Sequence, residues 1–257
     1  MIEFDEAAAR TIEAVYQTPD VVEQRRAVLG ALDLRPGERV LDVGCGPGLL
    51  ARAMAEAVGP GGLVHGIDPS PSMVEMTRRR TAAGAGARVE VGPGEATELP
   101  VPDERFDAVV ATQVYEYVAA MPRALAEARR VLVPGGRLLV LDTDWDSIVW
   151  RSSDDARMAR VLVAWDEHLA HRDLPRYLPR LLADAGLRLE TGAVVPILNI
   201  GEETPTYSSG LLEIVAEFVP GRAGVSPEVA AAWAADLRAL GPDYFFSLSR
   251  YVFVARR

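Results

Sequence analysis

Lysine is absent from this sequence of 257 residues, since all 27 basic residues are arginine. Without lysine the chain can form neither a Schiff base nor the lysine contact of a P-loop. The single cysteine, Cys45, excludes an intramolecular disulfide framework and a multi-cysteine zinc or iron–sulfur site. We therefore expect a protein of a reducing, cytoplasmic compartment.

Long apolar segments and a surplus of positive charge are also missing. No uninterrupted apolar run approaches the roughly 20 residues that span a bilayer, and residues 1–10 are acidic and carry no secretory pattern. The 37 acidic residues outnumber the basic ones, which gives a net charge of −10 and a pI near 4.9. Such a charge repels a phosphate backbone. The sequence thus predicts a soluble protein that binds neither a membrane nor nucleic acid.

Short β-branched runs alternate with helical patterns through the first half of the chain, which is typical of βαβ units around a parallel sheet. The predicted strands are Arg39–Val43, Leu63–Ile67, Arg88–Val91, Phe106–Ala111 and Arg137–Asp142. The predicted helices between them are Leu49–Val58, Ser72–Ala83 and Pro122–Leu132. No internal repeat or polar linker divides the chain into independent domains.

Beyond Asp142 the pattern becomes mainly helical. It predicts a helix capped by Ser153, a helix over Leu174–Ala185, a strand over Leu187–Leu198 that Pro196 interrupts, helices over Thr206–Val219 and Ser226–Leu240, and a final aromatic strand over Tyr244–Ala255.

The most informative segment is Val40–Gly48, a predicted buried strand that leads into a glycine-rich turn and then a helix. Such a turn brings a ligand against bare backbone and presents free N–H groups of the helix start. Leu49 stands where a dinucleotide fingerprint has its third glycine, which disfavours a pyrophosphate site. Asp68 ends the next predicted strand, where its carboxylate can accept the hydroxyl protons of a ribose.

Together with three later segments, this region resembles the class I S-adenosylmethionine-dependent methyltransferases, in particular the group that includes the ubiquinone and menaquinone C-methyltransferases. The resembling segments are Val40–Gly48, Gly66–Met73, Gly94–Pro100, Phe106–Val110 and Val131–Arg137, and the resemblance covers about residues 20–145.

The resemblance implies one α/β domain over residues 1–257 with a Rossmann-like fold. Its seven-stranded sheet would be mostly parallel with an antiparallel last strand, and helices would cover both faces. The core would comprise about residues 36–149, 187–199 and 244–257, and a helical substrate cap would comprise residues 1–35, 150–185 and 200–240.

The resemblance also implies S-adenosyl-L-methionine as the cofactor and assigns it a set of residues. Asp42 and the loop residues Gly44, Cys45, Gly46 and Gly48 would hold the methionine part, and Asp68 the ribose hydroxyls. Pro69 and Met73 would border the adenine, whose amino group would meet Glu95, in place of the family's usual aspartate, and the neighbouring Ala96. Gln113 would lie near the methyl group. No metal is expected, because the three histidines are not arranged with acidic residues at a ligand spacing.

The methyl acceptor is expected beyond the fourth and fifth strands, because ligands of open α/β sheets bind at the carboxyl ends of strands. The candidates for this pocket are Tyr16, Tyr115, Tyr117, Asp144 and Trp145. Many relatives carry histidine where Tyr117 stands, and no catalytic base is assigned. Glu116, Asp144, Asp146 and Trp145 could surround a cationic or amine acceptor, although Asp146 also fits a solvated loop and the two tyrosines of the fourth-strand segment also fit helix packing.

The predicted function is methyl transfer to nitrogen, carbon or oxygen of a small molecule, by proximity and desolvation in a monomer or homodimer. Three alternatives stay open at this point. A dehydrogenase would need a pyrophosphate site, a methyltransferase-like fold can use the bound sulfonium for a cyclisation or isomerisation without methylation, and a pure binding protein would carry the same cofactor loop.

Overall fold

The computed structural model describes residues 12–82, 84, 86–201 and 205–257. Seven strands form one sheet in the order β3-β2-β1-β4-β5-β7-β6. The strands are β1 Arg39–Val43, β2 Leu63–Asp68, β3 Arg88–Pro93, β4 Phe106–Thr112, β5 Leu132–Trp150, β6 Arg188–Ile200 and β7 Phe245–Arg256.

Strands β1 to β5 run parallel, and β7 runs antiparallel to both β5 and β6. The order reverses between β1 and β4, since the chain moves outward from β1 to β3 and then returns to the other side of β1. In open α/β sheets a ligand crevice forms at such a switch point. The predicted seven-stranded, mostly parallel sheet with an antiparallel last strand is confirmed.

Helices cover both faces of the sheet and form a separate layer above its carboxyl end. They are α1 Pro19–Leu32, α2 Leu49–Val58, α3 Pro71–Thr81, α4 Met121–Val131, α5 Asp155–Asp166, α6 Leu178–Asp184, α7 Tyr207–Phe218 and α8 Pro227–Ala239, with short 3₁₀ turns at Tyr115–Tyr117, Leu174–Arg176 and Gly241–Asp243.

The pleat of the central strands divides the apolar core into two halves. In β5, Leu138 and Val140 face a core shared with α4 and α6, while Leu139 and Leu141 face a core shared with α1 and α2. Both halves are fully enclosed, which explains why the central strands read as continuous apolar runs.

A third apolar core, here called the cap core, joins the far ends of β5 and β7 to helices α5, α7 and α8. It contains all four tryptophans of the chain, which are Trp145, Trp150, Trp165 and Trp233. Val15 and Val21 bring the segment before and within α1 into the same core. The first eleven residues of the predicted cap lie outside the described residues.

The structure corrects the predicted extent of the cap. Leu174, Leu178 and Leu182 pack in the sheet core with α4. The second half of α1 also belongs to the sheet, through Val28 and Leu32. The predicted helix over residues 174–185 is divided, because a 3₁₀ turn precedes α6 and Gly186, at φ 73°, follows it.

Strand β5 is much longer than the predicted Arg137–Asp142. At its start Leu132 pairs with β4, and beyond Asp142 the strand pairs with β7 at Thr143 and Asp144 and, after a shift of register, at Val149 and Trp150. The predicted end of this strand at Asp142 was therefore wrong, because antiparallel pairing with a strand about 100 residues later in the chain (Asp142 opposite Tyr251) extends β5 past its apolar run.

Two local predictions also change. Asp154 caps α5 by accepting the N–H of Arg157 at 2.9 Å, while Ser153, the predicted cap, binds the Asp236 carboxylate. Pro196 does not interrupt β6, because β6 is an edge strand that pairs only with β7. An edge strand tolerates proline where the missing N–H would face away from its neighbour.

Candidate active site

A cavity of about 760 Å³ opens at the carboxyl ends of β1, β2 and β4, at the switch point of the sheet. Its wall is formed by the glycine turn after β1, the loops after β2 to β4, and α1 with the residues before it. Two of the predicted cofactor residues, Asp42 and Gly48, do not line the cavity. Eleven of the predicted site residues line it: Tyr16, Gly44, Cys45, Gly46, Asp68, Pro69, Met73, Glu95, Ala96, Gln113 and Tyr117.

The turn from β1 into α2 depends on glycines in the left-handed region. Gly44, Gly46 and Gly48 have φ values of 68°, 52° and 78°. A Cβ at Gly44 would lie 2.4 Å from a methyl carbon of Val114, and one at Gly48 would lie 2.8 Å from the Thr77 side chain. A Cβ at Gly46 would meet no protein atom within 4 Å. Two of the glycines are thus required by packing within the protein, and Gly46 leaves open space beside the cavity.

Asp68, at the end of β2, holds the glycine turn in place. Its Oδ2 accepts the N–H of Gly46 and its Oδ1 accepts the N–H of Ser70, both at 2.9 Å. Burial raises the pKa of Asp68, and these two N–H groups oppose the rise. Each carboxylate oxygen keeps a second lone pair, so the group can still accept hydroxyl protons from a ligand in the cavity.

Asp42 lies in β1 directly behind the turn and is only 1% exposed. Its Oδ2 has no hydrogen-bond partner in the part of the chain that the structure describes. Burial, and after it the charge of Asp68, raises the pKa of Asp42 to about 8. A buried carboxyl group that lacks a partner is costly, and a cation placed beside it would favour its ionised form.

Cys45 is buried in the same turn, where its Sγ lies 3.7 Å from the Thr77 hydroxyl. Burial and the charge of Asp42 raise the pKa of the thiol. The neutral thiol therefore prevails, and Cys45 acts as a small apolar residue of a tight turn.

The residue that follows β4, Gln113, has a strained backbone conformation. Gln113 has a φ of 55°, which a non-glycine residue adopts rarely, and its side-chain amide donates to the Thr143 hydroxyl at 2.7 Å. Backbone strain of this kind clusters at functional sites. Tyr117 follows in the 3₁₀ turn and lines the cavity together with Tyr16, which comes from the segment before α1. Burial, followed by the nearby Tyr207, raises the pKa of Tyr16 to about 12.

Three of the five predicted acceptor-pocket residues do not line the cavity, so the predicted pocket must be corrected. Tyr115 is 1% exposed in the sheet core. Asp144 forms a bidentate ion pair with Arg176, with both N–O distances 2.9 Å. Trp145 packs in the cap core and donates its indole N–H to Glu116 at 3.2 Å. The extension of β5 explains the difference, because it places Asp144 and Trp145 in a strand and not in a loop over the ligand.

Sequence reasoning missed a buried polar group formed by Gln24, which lines the cavity, and by Tyr207 and Arg250 behind it. Arg250 is fully buried and binds Gln24 through Nη1. Its guanidinium carbon lies 4.3 Å from the centre of the Tyr207 ring. A charged residue inside the aromatic run of β7 is the one signal that could have drawn attention to it.

His168 is the most enclosed histidine and lies against Trp165, with ring centres 3.7 Å apart and ring planes tilted by 33°. Burial lowers the pKa of His168 to about 4. His65 instead faces Glu90 on the outer strands, 3.3 Å away. Within residues 12–82, 84, 86–201 and 205–257, no three His, Cys, Asp or Glu side chains are grouped in a way that could hold a metal ion.

A family described as "Methyltransferase domain" matches residues 40–136. An uncharacterised 37.1 kDa protein of transposon TN4556 from Streptomyces fradiae is 39% identical over 243 residues, which cover 93% of this chain and 68% of that protein. A demethylmenaquinone methyltransferase of Symbiobacterium thermophilum is 42% identical over 118 residues, or 46% of this chain and 47% of that protein. The match thus spans about half the length of the quinone methyltransferase.

Solved structures share the fold over most of the chain. The phosphoethanolamine N-methyltransferase 2 of Haemonchus contortus, in complex with S-adenosyl-L-methionine, has a TM-score of 0.64 and 19% identity, and covers 98% of this chain and 57% of its own. The [4+2]-cyclase SpnF has a TM-score of 0.60 and 26% identity, with coverage of 92% and 80%. No described helix has the length and apolar character needed to cross a bilayer.

Proposed function

The chain belongs to the class I S-adenosylmethionine-dependent methyltransferases, and from this premise we propose that it methylates a nitrogen, carbon or oxygen atom of a small-molecule acceptor. The cofactor is S-adenosyl-L-methionine. When bound, it supplies an electrophilic methyl group on a sulfonium.

The observation that best supports a cofactor site here is Asp42, which lies behind the turn that lines the cavity and whose Oδ2 has no hydrogen-bond partner among the described residues. The cofactor's methionine part carries an ammonium group, which is the cation that a buried carboxylate behind a glycine turn requires. The open space at Gly46 provides room for the same part of the ligand. We assign the methionine part to Asp42 and the turn Gly44–Gly48.

The remaining cofactor contacts are assigned by their places around the cavity. Asp68 would accept the ribose hydroxyl protons with the lone pairs that Gly46 and Ser70 leave free. Adenine would lie between Pro69 and Met73, with Glu95 and Ala96 beside its amino group, because these four residues line the cavity beyond Asp68.

We place the acceptor at the end of the cavity formed by Tyr16, Gln113 and Tyr117. The two phenols and the strained Gln113 would hold the acceptor in line with the methyl group and exclude water, which is the main requirement of methyl transfer. A metal ion has no role in this proposal.

We further propose a cytoplasmic enzyme of one domain, in which the cap core closes the acceptor end of the site. The support is the net charge of −10 and the single cysteine, together with the sharing of β5 and β7 between the sheet and the cap core. The acidic charge disfavours nucleic acid as the acceptor. Both a monomer and a homodimer are compatible with this proposal.

Calorimetric titration with S-adenosylhomocysteine tests the cofactor site. We expect one site per chain in the unaltered protein. Asp68→Ala should weaken binding by about 1.5–3 kcal/mol, the range for hydrogen bonds to a charged group.

Asp107→Ala is the matched control, because the Asp107 carboxylate also accepts a backbone N–H, that of Arg39 at 2.8 Å, at the opposite end of the sheet. It should leave the affinity unchanged. Equal affinity of the Asp68 variant and the unaltered protein would show that the ribose is bound elsewhere. In a reaction with metabolite extract, mass spectrometry should find a product one methyl heavier than its precursor, and a product of unchanged mass would instead indicate a cyclisation or isomerisation.

A further inference from the structure

Arg250 is a buried cation whose hydrogen-bonding capacity is only partly used. It is 0% exposed, and among the described residues its Nε and Nη2 have no hydrogen-bond partner. Within the part of the chain that the structure describes, no carboxylate oxygen lies within the 4.0 Å of an ion pair from its guanidinium. Burying a charge without a partner is unfavourable, so such a residue calls for a ligand.

The two free nitrogens form one edge of the guanidinium, here called the Arg250 fork. Arg176 uses the same two atoms in this protein, since its Nε and Nη2 each lie 2.9 Å from an oxygen of Asp144. This fork geometry matches the two oxygens of a planar carboxylate. The Arg250 fork therefore has the geometry of a carboxylate site without a carboxylate.

The guanidinium is held in position by neighbours on its other sides. Gln24 accepts a hydrogen bond from Nη1, and the Tyr207 ring lies 4.3 Å from the guanidinium carbon. A cation fixed between an amide oxygen and an aromatic face loses little further freedom on binding a ligand.

Arg250 also lies against the wall of the acceptor end of the cavity. Gln24, which binds it, lines the cavity, and so does Tyr16, whose phenol is within electrostatic reach of Arg250. In the β5–β7 ladder Arg250 is opposite Thr143, whose hydroxyl accepts from Gln113 of the cavity. Arg250 is thus separated by one residue, Gln24, from the surface on which we place the acceptor.

The charged and titratable groups around Arg250 are Glu116, Tyr16 and Tyr207. Burial raises the pKa of Glu116 and favours its neutral form, although Arg250 opposes this rise. The Glu116 Oε2 is already engaged by the Thr143 N–H and the Trp145 indole, each at 3.2 Å. The Glu116 Oε1 also has no hydrogen-bond partner among the described residues, but no ion pair of 4.0 Å or less joins it to Arg250, so the fork keeps its hydrogen-bonding capacity.

We propose that Arg250 is the specificity-determining residue for the methyl acceptor and that the acceptor carries a carboxylate, bound in bidentate fashion by Nε and Nη2. This rests on the proposed function, because the acceptor must share the cavity with the cofactor. The body of a small carboxylic acid would lie in the cavity against Tyr16 and Tyr117, which line it. Because Arg250 does not itself line the cavity, the carboxylate would reach the fork past Tyr16 and Gln24, which do.

The test uses the full chain saturated with S-adenosylhomocysteine and titrated with benzoate, benzamide and inorganic phosphate. We expect benzoate to bind at least tenfold more tightly than benzamide, which has the same shape without the charge. Arg250→Gln should abolish this preference while S-adenosylhomocysteine still binds. Arg250→Lys keeps the charge but lacks the fork, and it should bind benzoate at least tenfold more weakly than the unaltered protein.

Arg137→Gln is the matched control. Arg137 is also buried, but it donates to the backbone oxygens of Leu32 and Asp33 and to the Glu38 carboxylate, at the opposite end of the sheet. It should lower the melting temperature and leave benzoate binding unchanged, whereas Arg250→Gln should not lower the melting temperature by as much.

Equal binding of benzoate and benzamide by the unaltered complex, or benzoate binding that survives Arg250→Gln, would overturn the proposal. Tighter binding of phosphate than of benzoate would show that the site prefers a phosphate group to a carboxylate, and this result would also overturn the proposal. Failure of S-adenosylhomocysteine to bind would instead contradict the proposed function, and it is measured separately before the probes are added.

Discussion

Asp42 is a single carboxyl group that links the cofactor site to the pH dependence of stability. Its pKa is about 8 in the folded chain, against 3.8 for the ordinary side chain. Between about pH 4 and pH 8 the folded protein therefore holds a proton that the unfolded chain has released. The free energy of unfolding should fall as pH rises through this window, since stability falls with pH wherever the folded state binds more protons.

Asp42→Asn should remove this contribution. The stability of the variant relative to the unaltered protein should increase by more than about 1 kcal/mol between pH 5 and pH 8, because one pKa unit corresponds to about 1.4 kcal/mol. Urea unfolding of both proteins at several pH values measures the difference. A difference that stays constant with pH would show that Asp42 is ionised in the folded protein over the whole range.

The predicted acceptor residues show how single side chains depend on their surroundings. Tyr16 and Tyr117 line the cavity, whereas Asp144 is paired with Arg176 and Trp145 with Glu116. An acidic or aromatic residue near a strand end indicates a site only if its own neighbours leave it free. A cationic acceptor held by Asp144 and Trp145 is therefore no longer supported.

In the turn between β1 and α2, a glycine can be needed for two reasons: its backbone conformation, or the space that it leaves for a ligand. Gly46 and Gly224 both have positive φ, 52° and 73°, and a Cβ at either would meet no protein atom within 4 Å. Gly46 lines the cavity, and Gly224 lies in the connection between α7 and α8. The two positions form a matched pair.

Gly46→Ala and Gly224→Ala should each lower stability by about 1–2 kcal/mol, the strain of a side chain in the left-handed region. Only Gly46→Ala should weaken S-adenosylhomocysteine binding, by at least about tenfold or 1.4 kcal/mol, because its methyl group would enter the cavity. Thermal unfolding and calorimetry of the two variants provide the comparison. Undiminished affinity in Gly46→Ala would place the ligand away from the turn.

Strand β5 belongs to both the sheet core and the cap core. Its first half carries the sheet core, and its second half carries Trp145 and Trp150 into the cap core. Strand β7 does the same with Phe253 and Phe246. Because two continuous strands cross from one core into the other, the cap cannot unfold without disrupting the sheet.

The whole molecule should therefore unfold in one cooperative transition. All four tryptophans lie in the cap core, so their fluorescence reports on the cap, while far-UV circular dichroism reports on the entire chain. In one urea series the two signals should give the same midpoint, as for a two-state domain. A fluorescence transition at lower urea concentration would show that the cap unfolds as a separate unit.

The sequence by itself determined the order of the elements and the position of the glycine turn. Strands β1 to β4 and helix α2 lie within a few residues of their predicted bounds, because apolar runs and helical spacing are local properties of the chain. The same holds for Gly44 and Gly46, whose positive φ values follow from the glycine spacing of a short segment, whereas the hydrogen bond from Gly46 to Asp68 joins residues 22 apart and was not predicted.

Only the tertiary structure decided which polar groups face the acceptor. Arg250 is held by Gln24, 226 residues away in sequence, and Asp144 by Arg176, 32 residues away. The length of β5 was likewise set by its pairing with β7. Whether a polar side chain already has a partner depends on residues that the fold brings from distant parts of the chain. No local pattern in the sequence could therefore distinguish Asp144, which is paired, from the free fork of Arg250.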